Sequence, residues 1–407
     1  MASSLPRLPG LPDDLALLCL ARVPSLSLLW RVCPSWQALL SHSRYFHALR
    51  AALGFKPQLW LYTLLYDTAS TSSPHDKHTD PASTRATNAQ SAFSWHAFDP
   101  ITKCWHRLPP FPHLIEFQLT SPSFIGRLHS VQCASSHDKL FMVAGSRCGN
   151  VNTSDRSLEL HGFSANQQPL EPALECPLIF DTQTHMWTEG APFRVPRKWC
   201  ACGTASGKLI IASGCGKDWD LTVSKSAEMY DPEDRKWVTL DHLKSSKFSG
   251  EAISAVNYEG RLHMVSGKGV FWKVGVIFDP NTGKWLDMPR GMRTGWNGSC
   301  VVVDGKLLVL EDVTGRLKTY NQNEDSWTTV MKDDMLKNME QLTAGGPGKL
   351  CGIVRAPHGS SPQVRDVIHV VDIWNTPTVR VLNPPFGQVV ALQVLSRTSL
   401  HSDDGFS

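Results

Sequence analysis

One ten-residue pattern occurs five times in this chain, and it limits the possible folds more than any other feature. In each copy a Phe or Tyr is followed by Asp or Asn, and a Trp comes six residues after that Asp or Asn. The copies end at Trp105, Trp187, Trp237, Trp285 and Trp327. Their spacings of 82, 50, 48 and 42 residues match a four-stranded propeller blade, with a long insertion in the first interval.

Each copy predicts a β-hairpin. Apolar and polar residues alternate before the Asp or Asn, the next residues favour a tight turn, and the Trp then begins an outer strand. Short apolar runs opened by Gly or Asp recur between the hairpins and indicate strands with tight ends. These runs are DKLFMVAG from 138, GKLIIASG from 207, GRLHMVSG from 260, GKLLVLED from 305 and GKLCGIVR from 348. With one further strand before each run, the repeating unit has four strands.

This unit resembles the kelch repeat, from about residue 57 to the C-terminus. The resemblance includes a basic residue before the inner strand, as in RVPRKWCACG at 194–203. The chain departs from the kelch pattern because the double Gly is degraded and because the sixth unit lacks the Trp. In that unit Thr378 follows Asp372 by six residues, the spacing of the Trp in the other units.

We therefore expect a mainly β fold: a six-bladed kelch β-propeller over residues 55–407, preceded by a small three-helix domain over residues 1–54. A strand predicted at 387–395 would complete blade one and remove the open edges of the ring. A polar stretch at about 67–92 predicts a disordered loop, and an insertion is expected at about 146–175. The five Trp residues are expected to pack between sheets rather than to stack on sugars or bases.

The N-terminal segment has no strand pattern. Apolar residues at helical intervals, separated by Pro12, Pro24 and Pro34, indicate three short helices. Pro12 and the two Asp residues after it form a favourable helix start, because Pro fits the first turn and acids stabilise the positive end of the helix dipole.

This segment resembles an F-box, the module that binds the Skp adaptor of cullin-based ubiquitin ligases. The matching residues are LPDDL at 11–15, Leu18, Val23, Pro24 and RVCPSWQALL at 31–40. Pro34 departs from the basic residue usual at its position. The resemblance implies that the adaptor-binding surface and helical core are formed by Leu11, Pro12, Leu15, Leu18, Val32 and Trp36. A helical cap on the propeller is the alternative.

An F-box followed by kelch repeats is similar to plant-type substrate receptors of SCF ubiquitin ligases. The resemblance implies a non-catalytic subunit that binds a Skp-type adaptor, and through it a cullin, while the propeller captures a client protein. A kelch scaffold without a ligase role and a kelch-fold metalloenzyme are the alternatives. A copper or iron site would need ligands that converge from several blades, and the inter-blade segments contain no His cluster beyond His242. No cofactor or metal is expected, and His75 and His78 lack a third ligand in register.

The charge balance argues against a nucleic-acid partner. Lys and Arg number 40 against 37 Asp and Glu, and five Arg against two Asp in the first 54 residues account for the excess of three. No apolar run reaches the ~18 residues of a membrane helix. The 11 scattered Cys, without a C-x-x-C pair, indicate reduced thiols in the cytoplasm or nucleus.

One side of the propeller is predicted to bind the client. In a four-stranded meander, the loop between the second and third strands and the segment leading to the next blade emerge on the same face. The predicted client-binding residues on that face are Arg194, Arg197, Trp199, Trp219, Lys244, Trp272, Arg293 and Trp296. Arg and Trp are common in binding hot spots, and a locally basic face favours an acidic or phosphorylated segment. The alternative is ordinary solvated loop charges with Trp residues packed beneath them.

Overall fold

A computed structural model gives the structure of the chain. It describes residues 8, 10–23, 29, 32–36, 39, 43–67, 93–112, 115–116, 131–136, 138–147, 173–216, 221–232, 234–245, 248, 253–266, 273–356, 365–374 and 377–399. Three helices have their bounds within these residues: α1 at Asp13–Ala21, α2 at Arg44–Ala52 and the short α3 at Arg290–Gly295. Most of the remaining described residues belong to antiparallel sheets.

Six four-stranded sheets form the blades of a propeller, which confirms the predicted fold class. From the inner to the outer strand, blade two consists of Cys133–Ser136, Lys139–Met142, Leu178–Asp181 and Met186–Glu189. Blade three consists of Ala201–Ala205, Lys208–Ala212, Ala227–Asp231 and Lys236–Thr239. Blade four consists of Ile253–Tyr258, Arg261–Ser266, Gly275–Asp279 and Lys284–Asp287.

Blades five and six follow the same order. Blade five consists of Ser299–Val303, Lys306–Glu311, Arg316–Asn321 and Ser326–Lys332. Blade six consists of Met339–Gly346, Lys349–Val354, Val367–Asp372 and Thr378–Leu382. The inner strands of neighbouring blades contact one another around a closed ring.

Blade one joins the two ends of the propeller. Its inner strand is the C-terminal Gln388–Ser399, which pairs with Lys56–Tyr66, and Phe93–Asp99 and Cys104–Arg107 complete the sheet. The register runs from Lys56 opposite Ser399 to Tyr66 opposite Gln388. Because the first and last strands share one sheet, blade one closes the ring of six blades.

Two predicted segments lie largely outside the described residues: 68–92 of the polar stretch and 148–172 of the insertion. At the start of the insertion, Ser146–Arg147 pairs with Ile115–Glu116 in a small two-stranded sheet that the sequence did not predict.

The apolar core is divided into six clusters, and each cluster lies between two neighbouring blades. Leu262 and Phe278 of blade four, for example, pack with Ile210 and Ala212 of blade three. The corresponding junctions around the ring are filled by five further clusters of buried residues. The repeat in the sequence therefore reflects a repeated requirement to bury one sheet face against the next.

The ten-residue pattern folds as predicted into the hairpin of the third and fourth strands. In each of the five copies the aromatic residue before the Asp or Asn lies directly opposite the Trp, as Phe180 does opposite Trp187 with ring centroids 5.1 Å apart. The Asp side chain accepts backbone N–H bonds inside the turn, as Asp181 does from Gln183 at 2.8 Å. The residue two before the Trp has a positive φ; these residues are Lys103, His185, Arg235, Gly283 and Asp325.

Each of the five Trp indoles also links its blade to the preceding one. Its N–H donates to a backbone carbonyl in the segment that leads into the blade. The acceptors are Asn383 O for Trp105 (3.0 Å), Pro109 O for Trp187 (3.1 Å), Ala191 O for Trp237 (2.8 Å), Asp241 O for Trp285 (2.9 Å) and Gly291 O for Trp327 (3.0 Å). Trp187 and Trp237 are buried, and the other three are half-buried.

In blade six the prediction for Thr378 was wrong. Thr378 pairs with Asp372, so Val379, opposite Val371, occupies the place that Trp has in the other blades. The shift arises because the turn before the outer strand has five residues, 373–377, whereas the turn of blade one has four, 100–103.

The ring has two distinct faces. We call the side with the short turns between strands one and two and between strands three and four the turn face. We call the opposite side, with the loops between strands two and three and the segments between blades, the loop face. In blade three these two kinds of loop meet, since Lys198 N donates to Cys215 O at 2.8 Å. The chain enters the propeller at Lys56, which begins the second strand of blade one. This strand ends at Tyr66, before the loop between strands two and three, so its end lies on the loop face and Lys56 lies on the turn face.

Candidate functional site

The helical segment has its own small core and an exposed apolar surface. Leu17, Leu20, Leu29, Leu39 and Phe46 form the buried cluster. Arg50 closes this core, since its guanidinium is buried and donates to Ala21 O at 3.0 Å and to Val23 O at 2.6 Å. Burial lowers the pKa of Arg50 to about 10. The segment therefore has an interior of its own, made by residues other than those that the F-box resemblance places in the adaptor surface.

Three of the predicted adaptor-binding residues are large apolar side chains exposed to solvent. Leu11, Leu15 and Val32 are 39%, 51% and 58% exposed. Pro12 is also exposed, and it caps the start of α1 with its carbonyl accepting Ala16 N–H at 2.9 Å. Leu15 thus lies on α1 without joining the core. We call Leu11, Leu15 and Val32 the apolar helical surface.

The other two predicted adaptor residues take intermediate positions. Leu18 and Trp36 are half-buried, and Trp36 packs against the core cluster. Residues 34–36 are helical, so Pro34 does not prevent helix formation there. This fits a Pro in a first helical turn, where its missing N–H leaves no bond unmade.

On the loop face, the structure corrects the prediction for Arg197. Its side chain is 1% exposed and forms an ion pair with the buried Glu228 at 2.6 Å. The same guanidinium donates to the carbonyls of Ser213 (3.2 Å) and Ser226 (3.0 Å). Arg197 links the segment that leads into blade three to the third strand of that blade. It therefore stabilises the fold and offers no surface to a client.

Trp199 and Trp296 are likewise buried, at 2% and 1% exposure, so their predicted contact with a client was also wrong. Trp296 packs edge-on against Trp327, with ring centroids 6.3 Å apart. Trp199 and Trp296 each lie just before an inner strand, and their side chains are buried beneath the loop face. The predicted Trp219 and Trp272 lie outside the described residues.

The remaining predicted residues lie at the surface of the loop face. Arg194 is exposed, and its Nε donates to Trp237 O at 3.3 Å. Lys244 is 73% exposed and pairs with Asp287 at 3.3 Å. Arg293, on α3, is half-buried. Of the eight predicted residues, Arg194, Lys244 and Arg293 are therefore the three that the structure describes with an accessible side chain on this face.

A charged cluster that the sequence did not predict lies at the junction of blades four and five. Lys318 is 9% exposed and binds Glu311 Oε1 at 2.6 Å and Gly295 O at 2.8 Å. Lys273 donates to the next carbonyl, Trp296 O, at 2.7 Å, and to Asn297 Oδ1. Burial, and then the nearby charge of Lys318, lower the pKa of Lys273 to about 8.

A signal for this cluster was present in the repeat. The first residue of the ten-residue pattern lies on the third strand and is buried, yet it is polar in several blades. The polar examples are His96, Glu228 and Lys318, with His369 at the equivalent place in blade six. A polar residue at a buried strand position needs a partner, so the pattern could have predicted buried charged networks.

In the part of the chain that the structure describes, no group of three or more His, Cys, Asp and Glu side chains is placed to hold a metal ion. No described helix is both long and apolar enough to cross a membrane.

Comparisons with known proteins show the family. No protein-family model matches the chain. The F-box/kelch-repeat protein SKIP25 of Arabidopsis thaliana is 32% identical over 96% of this chain and 89% of its own length. The chain belongs to the F-box/kelch-repeat family. A second F-box/kelch-repeat protein of that plant is 27% identical over 91% of this chain and 80% of its own, and the F-box protein AFR is 25% identical over 76% and 69%.

Family membership confirms the resemblance derived from the repeats and from LPDDL. Among solved structures, the one described as "Structure of YjhT" is 11% identical and covers 71% of this chain and 91% of its own, with a TM-score of 0.43. That score is too low to bear on fold or function. The two surfaces of this F-box/kelch-repeat chain are therefore interpreted from its own residues.

Proposed function

We propose that this chain is the substrate-recognition subunit of an SCF-type E3 ubiquitin ligase. In this proposal the F-box binds a Skp-type adaptor, and through it a cullin, and the propeller captures a client protein for ubiquitination. The chain supplies no catalytic residue, and the transfer of ubiquitin belongs to other subunits.

The observation that carries the proposal is the apolar helical surface. Four of the eleven exposed large apolar side chains in the described chain, Leu11, Leu15, Val32 and Tyr45, fall in its first 54 residues of 407. Three of the four are residues that the F-box resemblance assigns to adaptor binding. Exposed large apolar side chains that are concentrated in one small domain favour an interaction surface, whereas single ones scattered over a protein are ordinary.

The topology supports a division of labour between the two domains. The chain passes from the helical segment into the propeller at the turn face, at Lys56. Arg194, Lys244 and Arg293 lie on the loop face, at the other end of the strands. A client held at the loop face would therefore leave the chain connection to the F-box unobstructed.

The test is adaptor binding by a double variant, Leu15→Ala with Val32→Ala. We expect affinity for a purified Skp-type adaptor to fall at least about a hundredfold, since two central apolar contacts each contribute about 1.5–3 kcal/mol. The variant should keep its melting temperature, because both side chains are exposed in the isolated chain.

Val238→Ala provides a matched control. Val238 is 50% exposed, close to the 51% of Leu15, but lies on the outer strand of blade three. Its substitution should leave adaptor binding unchanged. If the double variant binds the adaptor within about twofold of the original chain, the ligase role is wrong, and a kelch scaffold without adaptor binding becomes the better account.

A further inference from the structure

The loop face of blade five combines an excess of positive charge with an exposed apolar side chain, and both are organised by Glu311. Glu311 ends the second strand of the blade, and Arg316 begins the third and lies opposite it in the register. Lys318, two residues further on, forms the ion pair with Glu311 at 2.6 Å. We call the side chains of Lys273, Arg316 and Lys318 the cation cluster.

The cation cluster is held at short range by the backbone before blade five. The ammonium groups of Lys318 and Lys273 bind two consecutive carbonyls, Gly295 O and Trp296 O, at 2.8 and 2.7 Å. Like charges this close repel each other, and the carboxylate of Glu311, which pairs with Lys318 and lies on the residue opposite Arg316, offsets part of this repulsion. Counting these four side chains, the net charge is +2.

The neighbouring Asp312 adds one negative charge, which brings the net charge of the five side chains to +1. Its Oδ1 accepts the backbone N–H of Val313 at 3.0 Å, so that oxygen is turned toward the loop. Lys273 uses two of its three donors on Trp296 O and Asn297 Oδ1, which leaves one for a ligand. It is half-buried, so the remaining donor is reachable from the loop face.

Glu311 also fixes the apolar part of the surface. Its carbonyl accepts Gly315 N–H at 2.9 Å and its Oε2 accepts the Thr314 hydroxyl at 3.1 Å, so residues 311–315 form a tight turn. Val313 lies at the tip of that turn and is 80% exposed. Turn tips normally carry Gly, Asn, Asp or Ser, so a rigidly presented Val is an unusual apolar contact.

The turn is locked to the segment that leads into blade six. Asp333 N–H donates to Gly315 O at 3.0 Å, and Asn338 N–H donates to Asp312 O at 2.9 Å. Gly315 has a φ of +65°, and a Cβ there would lie 2.2 Å from Asp333 O. Met335, 45% exposed, is in the locked segment and extends the apolar contact.

We infer that the loop face of blade five binds a phosphorylated segment of the client, with the phosphate at Lys273 and Arg316 and a neighbouring apolar side chain on Val313. A phosphate carries a charge of about −1.5 to −2 and three acceptor oxygens, so it offers Lys273 and Arg316 more negative charge and more acceptors than a single carboxylate does. The inference rests on the proposed function, because it names the chemistry of the client.

The first test needs neither adaptor nor client. The purified full-length chain is acetylated in inorganic phosphate and, separately, in chloride of equal ionic strength, and the rate at each lysine is measured by mass spectrometry. Labelling of Lys273 should slow at least about threefold when phosphate is about twice its dissociation constant. The exposed Lys225 and Lys244 are internal controls and should be labelled equally fast in both salts.

Equal slowing at all lysines, or no slowing at Lys273, would overturn the inference. Arg316→Gln provides a second reading, because it removes one cation without touching the two carbonyl bonds. It should abolish the protection of Lys273 by phosphate while leaving the melting temperature unchanged. Protection that persists in this variant would also contradict the site.

The second test uses a client captured by the unmodified chain. Treatment of the client with phosphatase, or Lys273→Met, should weaken its binding about tenfold, the loss expected for one charge-assisted bond. Val313→Ser should weaken binding without altering phosphate protection, and Lys225→Met, an exposed cation on the same face that is not among the predicted client-binding residues, should change neither.

These outcomes separate the inference from the proposed function. If adaptor binding fails but phosphate still protects Lys273, the ligase role is wrong and the site stands. If the adaptor and client bind normally but phosphatase, Lys273→Met and Val313→Ser have no effect, the ligase role stands and this site is wrong.

Discussion

Blades five and six are neighbours in the ring, yet they are joined to their preceding blades by different residues. Blade five uses Trp327, whose indole donates to Gly291 O at 3.0 Å and packs across the hairpin on Tyr320. Blade six has Val379 in that place, but Trp374, in the turn before it, donates to Asp304 Oδ2 of blade five at 2.8 Å. The comparison indicates that the fold needs an indole link between blades, and that the link tolerates a change of position and acceptor.

The link in blade six is also more polar than the others. Asp304 accepts a second bond from Gly348 N–H at 2.9 Å, and the ammonium of Lys306 lies 4.4 Å from the Trp374 ring centroid. Blade six compensates again at its junction with blade one, where Arg355 binds Asp366 at 2.8 Å and also Glu340 and Val389 O. Polar and charged groups therefore take part in the links of blade six to both of its neighbours.

The largest effect is expected from Trp237→Ala in blade three. Trp237 is 5% exposed, packs on Tyr230 and Phe193, and donates to Ala191 O. Truncation of a buried Trp leaves a cavity, so the free energy of unfolding should fall by about 3–5 kcal/mol. Urea denaturation measures it, and a change below about 1 kcal/mol would contradict the packing account.

Trp374→Ala in blade six should have a smaller effect, about 1.5–3 kcal/mol. The ring is half-buried, so the main loss is the bond to a charged acceptor, Asp304 Oδ2. A double-mutant cycle of Trp374→Ala and Asp304→Ala distinguishes the loss of this hydrogen bond from the loss of packing. If the bond dominates, the double variant should lose less stability than the sum of the two single losses, by about 1.5–3 kcal/mol, since each single substitution already breaks the bond. The bond from Gly348 N–H to Asp304 is lost in both variants that lack Asp304, so it cancels in this comparison.

The sequence predicted the part of the fold that depends on repetition. Six blades, the hairpins and the outer-strand Trp residues follow from a pattern whose spacing is fixed by strand length. The position of Val379 could not be predicted. Thr378 has the six-residue spacing from its Asp that the Trp has in the other blades, but the turn of blade six is one residue longer, so Val379 takes the place of the Trp. The burial of Arg197, Trp199 and Trp296 was also missed, since a sequence shows that a segment is a loop but not which side chains fold beneath it.

A comparable limit applied to the functional surfaces. The family resemblance indicated the residues of the apolar helical surface, and the structure places Leu11, Leu15 and Val32 in solvent. The cation cluster was not predicted, because Lys273 comes from a loop of blade four whereas Arg316 and Lys318 lie on the third strand of blade five. Only the register of the sheet and the path of residues 295–297 bring them together.

Acid should weaken the ring through buried histidines in blades one and four. Burial lowers the pKa of His96 and of His263 to about 4, below the ordinary value of 6.5. Below pH 6.5 the unfolded chain binds protons that the folded chain excludes, so stability falls as the pH decreases from about 6.5 toward 4. Each of these two histidines should lower the free energy of unfolding by about 2 kcal/mol when the pH is lowered from 7 to 5.

The measurement is the difference in unfolding free energy between pH 7 and pH 5. His263→Gln should reduce that difference by about 2 kcal/mol, whatever it does to stability at pH 7. The exposed His242 is the matched control, and His242→Gln should leave the difference unchanged. An unaltered pH dependence in His263→Gln would show that the acid sensitivity arises elsewhere.

The smallest effect isolates the indole N–H itself. In blade four, Trp285 is half-buried, packs on Phe278 at 4.9 Å between centroids, and donates to Asp241 O at 2.9 Å. Trp285→Phe keeps an aromatic ring opposite Phe278 but removes the donor, so the free energy of unfolding should fall by about 0.5–1.5 kcal/mol. Trp285→Ala removes both and should cost more. If the Phe and Ala variants are equally destabilised, the hydrogen bond dominates and ring packing contributes little. If the Phe variant is as stable as the original chain, the link that Trp285 makes to the preceding blade depends on packing alone.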